Sequence, residues 1–175
     1  LEGELRRARG ATAIQGTLDA ESVNAFGQST PLRGPVEMSL SPELFQLEAD
    51  LRAPARTAPI FTRARLRTEM SFDGRRGRFE LSRAQLTSDA LDMQAQGWTN
   101  RSDGEFAGEW RVNTLAAFSR NMQGQIGGRW RAFAENVAPA RSWTVTIQGA
   151  GERVGGAPQI VPQLLGPSPR LDARL

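Results

Sequence analysis

Four residue types are missing from this chain, which contains no Lys, His, Cys or Tyr. The usual general bases, nucleophiles and soft metal ligands are therefore absent. Carboxylate pairs such as Asp89 with Asp92 remain, but they lie in polar strand or turn sequence, where solvated carboxylates are the ordinary outcome. We therefore expect no enzymatic activity, no cofactor and no metal.

Long hydrophobic runs are missing as well. No stretch of about 18 apolar residues occurs, so no segment is expected to cross a bilayer as a helix. The absence of cysteine is compatible with a reducing or an oxidising compartment. The chain opens at Leu1 without a methionine or a secretory signal and closes on the strand-like "RLDARL". We expect residues 1–175 to form one domain-sized piece of a longer protein.

The basic residues are all arginines, 22 of them against 19 carboxylates, which leaves a net charge of +3. Six of them form a stripe that invites a nucleic-acid interpretation: Arg63, Arg65, Arg67, Arg75, Arg76 and Arg78. Carboxylates are interspersed along the chain, however, and Phe61 is the only aromatic residue of that strand face that could stack on a base. The stripe is better interpreted as a solvated strand face, and we expect no nucleic-acid partner.

The stretch "GAGERVGG" at residues 149–156 resembles a dinucleotide fingerprint only superficially. Its third glycine arrives one residue late, and Pro158 and Pro162 interrupt the helix that would hold a pyrophosphate. We expect a loop here.

Period-two alternation of apolar and polar residues dominates the chain, as is typical of strands with one apolar face. In residues 60–82 the run that starts with Ile60 continues through Leu66 and Met70, and turns back at Asp73-Gly74. The same alternation recurs in residues 36–51, 91–112 and 126–147, and more weakly in 14–20. It predicts about ten to twelve strands, largely joined as hairpins.

The apolar positions of these strands are the candidate groove residues, because they are expected to share one face. They are Val36, Met38, Leu40, Phe45, Leu47, Leu51, Leu66, Met70, Phe72, Phe79, Leu81, Leu91, Met93, Phe106, Trp110, Val112, Ile126, Trp130, Trp143, Val145 and Ile147. The pattern leaves the register open near Leu86 and Trp98, where a β-bulge would move a side chain to the other face.

Two stretches, residues 113–121 and 157–166, are apolar at helical spacing and predict short helices between strands. The fold class expected is thus mainly β: a curved, largely antiparallel sheet folded into an elongated groove, with one or two short helices.

The apolar face has more than one interpretation. It can be the sealed core of a β-sandwich or β-solenoid, or the lining of an open trough whose Met and Trp side chains suit lipid tails. An outer-membrane barrel would carry aromatic girdles, which are usually rich in Tyr. The uniform succession of one-sided hairpins favours the trough.

Several segments resemble the TamB and AsmA-like family of repeating β-groove proteins. They are "VEMSLSPELFQLEADL" (36–51), "FELSRAQLTSDALDMQAQGW" (79–98), "EFAGEWRVNTLAAF" (105–118) and "PQIVPQLLGPSPRLDARL" (158–175). The shared features are strands of x-L-x-L-x-G type, strand ends such as Gly97-Trp98, and the joint "LLGPSPRL" from Leu164 to Leu171.

The resemblance implies a taco-shaped sheet with a hydrophobic interior, located in the periplasm as part of a parent protein anchored in the inner membrane. It implies phospholipid or other acyl chains as ligands, and lipid movement and outer-membrane assembly as the function. It also implies an outer-membrane barrel of the TamA type as the partner. The family supplies no catalytic motif.

Overall fold

Eleven antiparallel strands form a single sheet in sequence order. The computed structural model describes residues 2–8, 11–25, 27–54, 57–137, 140–156 and 170–174. The strands are β1 Glu2–Ala8, β2 Ala11–Ala25, β3 Gln28–Leu40, β4 Leu44–Arg52, β5 Arg65–Asp73, β6 Arg78–Thr87, β7 Leu91–Thr99, β8 Gly104–Val112, β9 Gln123–Val137, β10 Ala140–Gly155 and β11 Arg170–Arg174. The predicted mainly β, antiparallel fold is confirmed, and the strand count lies within the predicted range.

On one side of the sheet, which we call the open flank, the connections among the described residues are tight hairpin turns. They span residues 41–43, 74–77 and 100–103. A polar side chain supports each turn: Leu44 N donates to Ser41 Oγ at 3.0 Å, Arg76 N to Asp73 Oδ1 at 3.0 Å, and Asp103 N to Asn100 Oδ1 at 2.7 Å. Asp, Asn and Ser favour turns because their side chains make such local bonds.

The connections on the other side, the closed flank, include two long segments that each contain a 3-10 turn. The first turn, Pro59–Phe61, lies between β4 and β5, and the second, Leu115–Ala117, lies between β8 and β9. Ile60 was expected in a strand, and this prediction is wrong. Arg63 has a φ of 55°, which interrupts the extended backbone, so β5 begins only at Arg65.

The predicted helix at 113–121 is reduced to the short turn Leu115–Ala117. The predicted helix at 157–166 lies outside the described residues. The predicted loop at 149–156 is wrong for most of its length, because β10 continues to Gly155. Residues between Glu152 and Gly155 are instead bulged against β9, and Arg153 there has a φ of 52°.

A β-bulge in β6 settles the register near Leu86. Glu69 is opposite Arg83 and Met70 is opposite Leu81, so Ser82 is an additional residue. Because the bulge adds one residue, Leu86 returns to the apolar face, where it contacts buried residues. Trp98 points to the polar face, where the Arg78 guanidinium lies 4.4 Å from its ring centroid.

The sheet curls so that distant strands meet at the closed flank. Gln28, at the start of β3, donates a hydrogen bond to Ala117 O at 3.0 Å and accepts one from Ile60 N at 3.2 Å. In a flat sheet, β3 and β8 would be about 24 Å apart. The Gln28 side chain can contact both 3-10 turns because these turns fold over the apolar face.

Three buried clusters lie on the apolar face, and two of them include residues of these turns. The first contains Leu32, Val36, Ala49 and Leu51, the second Ile60, Phe61 and Ala64, and the third Leu91, Val112 and Leu115. Within the described ranges, extensive strand contacts are made only between sheet neighbours, so no second sheet covers this face. The core is therefore confined largely to the closed flank.

Leu32→Ala is expected to destabilise the protein by about 3 kcal/mol, because Leu32 is fully buried and its truncation leaves a cavity. Leu40→Ala removes the same atoms at the open flank, where 53% of Leu40 is exposed, and should cost less than about 1 kcal/mol. Urea unfolding of both variants measures the difference. Equal losses would contradict the placement of the core at the closed flank.

Candidate functional site

The strand register aligns apolar side chains into rows that cross the sheet. The central row contains one residue from each of nine consecutive strands, namely Ile14, Met38, Leu47, Met70, Leu81, Gly97, Phe106, Ala132 and Val145. Since strands are spaced by about 4.8 Å, this row is about 38 Å long. It forms the middle of a groove whose axis is perpendicular to the strands.

All the predicted groove residues lie on this face. Val36, Leu51, Leu91 and Val112 are buried. Leu40, Phe72 and Trp143 are 53%, 43% and 40% exposed. The remaining ones are half-buried. The face therefore grades from a packed core at the closed flank to accessible apolar surface at the open flank.

The two ends of the groove differ in chemistry. Across β2 to β5 the central row is aliphatic and includes Met38 and Met70. Across β8 to β10 the face carries Trp110, Trp130 and Trp143. A groove with flexible thioethers at one end and flat rings at the other adapts to chains of varied shape.

Two Gly-x-Trp sequences interlock on β8 and β9. Gly108 is opposite Trp130, and Trp110 is opposite Gly128. A Cβ at Gly108 would overlap the Gln94 carbonyl and come within 2.6 Å of Trp130 Nε1. The Trp110 ring extends to β10, where its Cζ2 lies 3.0 Å from the Cβ position of Gly149. The glycines thus let the indole rings lie flat on the sheet, so that the rings do not fill the groove.

Aromatic residues also line the open flank next to these tryptophans. The ring centroids of Phe79 and Phe106 are 6.4 Å apart, and those of Phe106 and Trp143 are 5.8 Å apart. Together they give this part of the groove a continuous aromatic wall.

Several functional positions of the face were missed by reasoning from large apolar residues alone. Leu32 is the most buried leucine of its cluster, and Gly97, Gly108 and Gly149 make room for aromatic rings. The Gly-x-Trp spacing was the signal for Gly108, because residues two apart on a strand share a face. Gly97 and Gly149 had no such signal. Leu32 precedes the clear alternation and had no such signal.

Of the arginine stripe, Arg65, Arg67 and Arg78 lie on strands at the polar face, whereas Arg63 lies in the connection before β5, and Arg75 and Arg76 lie in the turn at 74–77. Each member is ion-paired with a carboxylate. Arg63 Nε lies 2.8 Å from Asp89 Oδ1, Arg65 and Arg67 both contact Asp50, and Arg75, Arg76 and Arg78 are paired with Glu43, Asp73 and Glu80. Phe61, the expected stacking residue, is instead 1% exposed in the core. The stripe therefore offers little unpaired charge and no accessible ring from Phe61.

Asp50 is the carboxylate most affected by these arginines. The hydrogen bond from Arg65 Nε, 2.6 Å from Asp50 Oδ1, lowers the pKa of Asp50 below its ordinary value of 3.8. Partial burial opposes this shift, and the charges of Arg65, Arg67 and Arg52 add to it. The ionised form is thus favoured in the folded protein.

The polar face is recessed over β6 to β10. Two recesses of about 810 and 530 Å³ lie on it over β6 to β10. Polar side chains such as Gln94, Glu109 and Arg129 line them. A twisted sheet can be concave on both faces in different directions, which accounts for these recesses. Their polar lining does not suit an acyl chain.

Within the described part of the chain, no cluster of three or more potential metal-ligating side chains occurs. Nor is any helix among these residues long and apolar enough to span a membrane.

No protein-family model matches the chain, and neither a curated protein nor a solved structure matches it. The apolar groove is therefore the candidate site on its geometry alone.

Gly108→Ala should destabilise the fold by about 1 to 3 kcal/mol and shift the tryptophan emission, because the added methyl displaces the Trp130 ring. Gly155→Ala is the matched control, since a Cβ there meets nothing within 4 Å. Urea unfolding and fluorescence spectra compare the two. If both variants behave alike, Gly108 does not determine the ring position.

Asp50→Asn should lower stability by up to about 1 kcal/mol at neutral pH, since it removes a partly exposed ion pair with Arg65. A depressed folded-state pKa contributes stability above the unfolded value and loses it as pH falls. The difference between wild type and variant should therefore be constant near neutrality and disappear as the pH falls below 3.8. Urea unfolding as a function of pH measures it, and a difference that persists in acid would contradict the assignment.

Proposed function

We propose that this chain is a segment of a hydrophobic groove that shields and conducts lipid acyl chains. The observation that carries the proposal is the central row, which keeps apolar side chains in register across nine strands without a covering sheet in the described residues. Conduction of this kind needs no catalytic residue, because the acyl chain of the lipid slides along a nearly uniform apolar surface.

The energetics support binding without a specific polar contact. Removing about ten methylene groups from water contributes about 8 kcal/mol, at about 0.8 kcal/mol for each. Association costs at least about 4 kcal/mol of translational and rotational freedom, so burial of this size is needed to hold an acyl chain without a specific polar contact. The polar head group can stay in water at the open flank, where Leu40, Phe72 and Trp143 are exposed.

The resemblance to the TamB and AsmA-like family extends the proposal to the parent protein. In this extension, the segment lies in the periplasm, the parent is anchored in the inner membrane, and an outer-membrane barrel of the TamA type is the partner. Phospholipid moving between the two membranes is the proposed cargo.

A sealed interaction module is the second candidate function. The observation that favours it is the packed closed flank, where the two 3-10 turns pack against Ala64, Leu91 and their neighbours. Such a module would use its apolar face only as a core and would bind no lipid.

Brominated phospholipid distinguishes these functions, because bromine on the acyl chain quenches tryptophan at close range. In Trp98→Phe the remaining tryptophans all lie on the apolar face, and most of their emission should be quenched. In the triple variant Trp110→Phe, Trp130→Phe and Trp143→Phe, only Trp98 on the polar face remains, and its emission should change little. Absence of quenching in Trp98→Phe, or equal quenching of both proteins, would refute the acyl-chain groove.

Met70→Glu and Ser71→Glu test which face of the sheet binds the lipid. The two residues are adjacent on β5 and both half-buried, but they point to opposite faces. A carboxylate in the central row should weaken lipid binding at least about tenfold, because a charge beside an alkyl chain loses its hydration. Ser71→Glu adds the same charge on the polar face and should leave binding unchanged, as measured by titration with the brominated lipid.

A further inference from the structure

The polar face of β3, β4 and β5 carries two parallel rows of like charge. Glu37 is opposite Glu48, which is opposite Glu69, and these three form the acidic row. Four residues away along each strand, Arg33 is opposite Arg52, which is opposite Arg65, and these form the arginine row. Each row thus places charges of one sign on three neighbouring strands.

Such rows are unfavourable in an isolated sheet, because like charges directly opposite each other destabilise strand pairing. Within the described residues, only Arg65 of these six side chains forms an ion pair, with Asp50. Glu37 accepts a hydrogen bond from Gln15. The other five charged residues are exposed. Asp19 opposite Arg33 and Arg83 opposite Glu69 offset part of the repulsion at the outer strands, but the like-charge contacts that β4 makes with β3 and β5 remain.

The two rows are self-complementary under a two-fold rotation. An axis between them runs along the row of Pro35, Asp50 and Arg67. Rotation about it places the acidic row of one copy against the arginine row of the other. A two-fold axis parallel to the strands would instead bring like charges together, so the charge pattern selects one arrangement.

We propose that two copies of this chain associate through their polar faces about this axis. Glu37, Glu48 and Glu69 then face the partner's Arg33, the partner's Arg52 and the partner's Arg65, and the reciprocal contacts follow from the symmetry. Arg67 lies near the axis, and Asp50, 3.6 Å away, compensates its charge. The apolar faces stay outside the contact, so the two grooves lie back to back and open.

The size of the patch sets the strength of this association. Three strands of about eight residues cover roughly 400 Å² on each copy, half of the roughly 800 Å² of a standard interface. Exposed ion pairs contribute about 0 to 1 kcal/mol each. The pairing is therefore weak and strongly dependent on ionic strength, because the Debye length shortens from roughly 20 Å at about 0.02 M salt to below 10 Å at about 0.3 M.

Analytical ultracentrifugation of the full chain and its charge-reversed variants tests the proposal. Wild type should associate at about 0.02 M salt, and at least about tenfold more weakly at about 0.3 M. Glu48→Arg or Arg52→Glu alone should weaken association at least about tenfold, since each creates like-charge contacts across the axis. An equimolar mixture of the two variants should associate again, because each then supplies the charge that the other has lost.

Glu152→Arg and Arg129→Glu are matched controls. They make the same changes in net charge at exposed positions on β10 and β9, away from the rows, and should leave association unchanged. The proposal is overturned if wild type stays monomeric near 1 mM at low salt. It is equally overturned if either single reversal associates as strongly as wild type, or if the mixture associates no more strongly than each variant alone. Circular dichroism confirms that each variant is folded, and lipid binding by the variants is expected to be normal, so this test is independent of the groove function.

Discussion

Strand register is the constraint on which the rest of this structure depends. Side chains alternate between faces, so a slip of one residue would exchange the two faces of every strand beyond it. The row from Ile14 to Val145 shows that the register is kept across nine strands. The bulge at Ser82 would disturb it, but the bulge is accommodated against both neighbouring strands, so Ala84 and Leu86 return to the apolar face.

The closed flank contains most of the buried core, whereas the open flank contains the accessible apolar surface. Tight turns at the open flank contribute no cover to the apolar face, which leaves Leu40, Phe72 and Trp143 exposed. The long connections at the closed flank fold inward, and Ile60 and Phe61 become core residues of the single-layered sheet. A single sheet needs such a device, because its apolar face has no second layer to pack against.

Local chemistry explains which parts of this arrangement are predictable from the sequence. The Asp73-Gly74 turn and the alternation around Met70 are local signals, and they locate the hairpins and place the apolar residues on one face. The contact of Gln28 with Ala117 links residues far apart in the chain and has no local signature. The alternation of apolar and polar residues includes Ile60 and therefore predicts a strand there. Pro59 and the positive φ of Arg63 turn the backbone instead. The glycine content of residues 149–156 predicts a loop, but pairing with β9 keeps 149–152 extended.

For the acyl-chain ligand proposed above, the difference between the flanks would also set the route of entry. Because the open flank carries only tight turns from residues 41–43 to 100–103, a fatty tail would be laid in sideways across these strands and would not have to be threaded from a terminus of the groove. Its polar head group would then stay outside, in water.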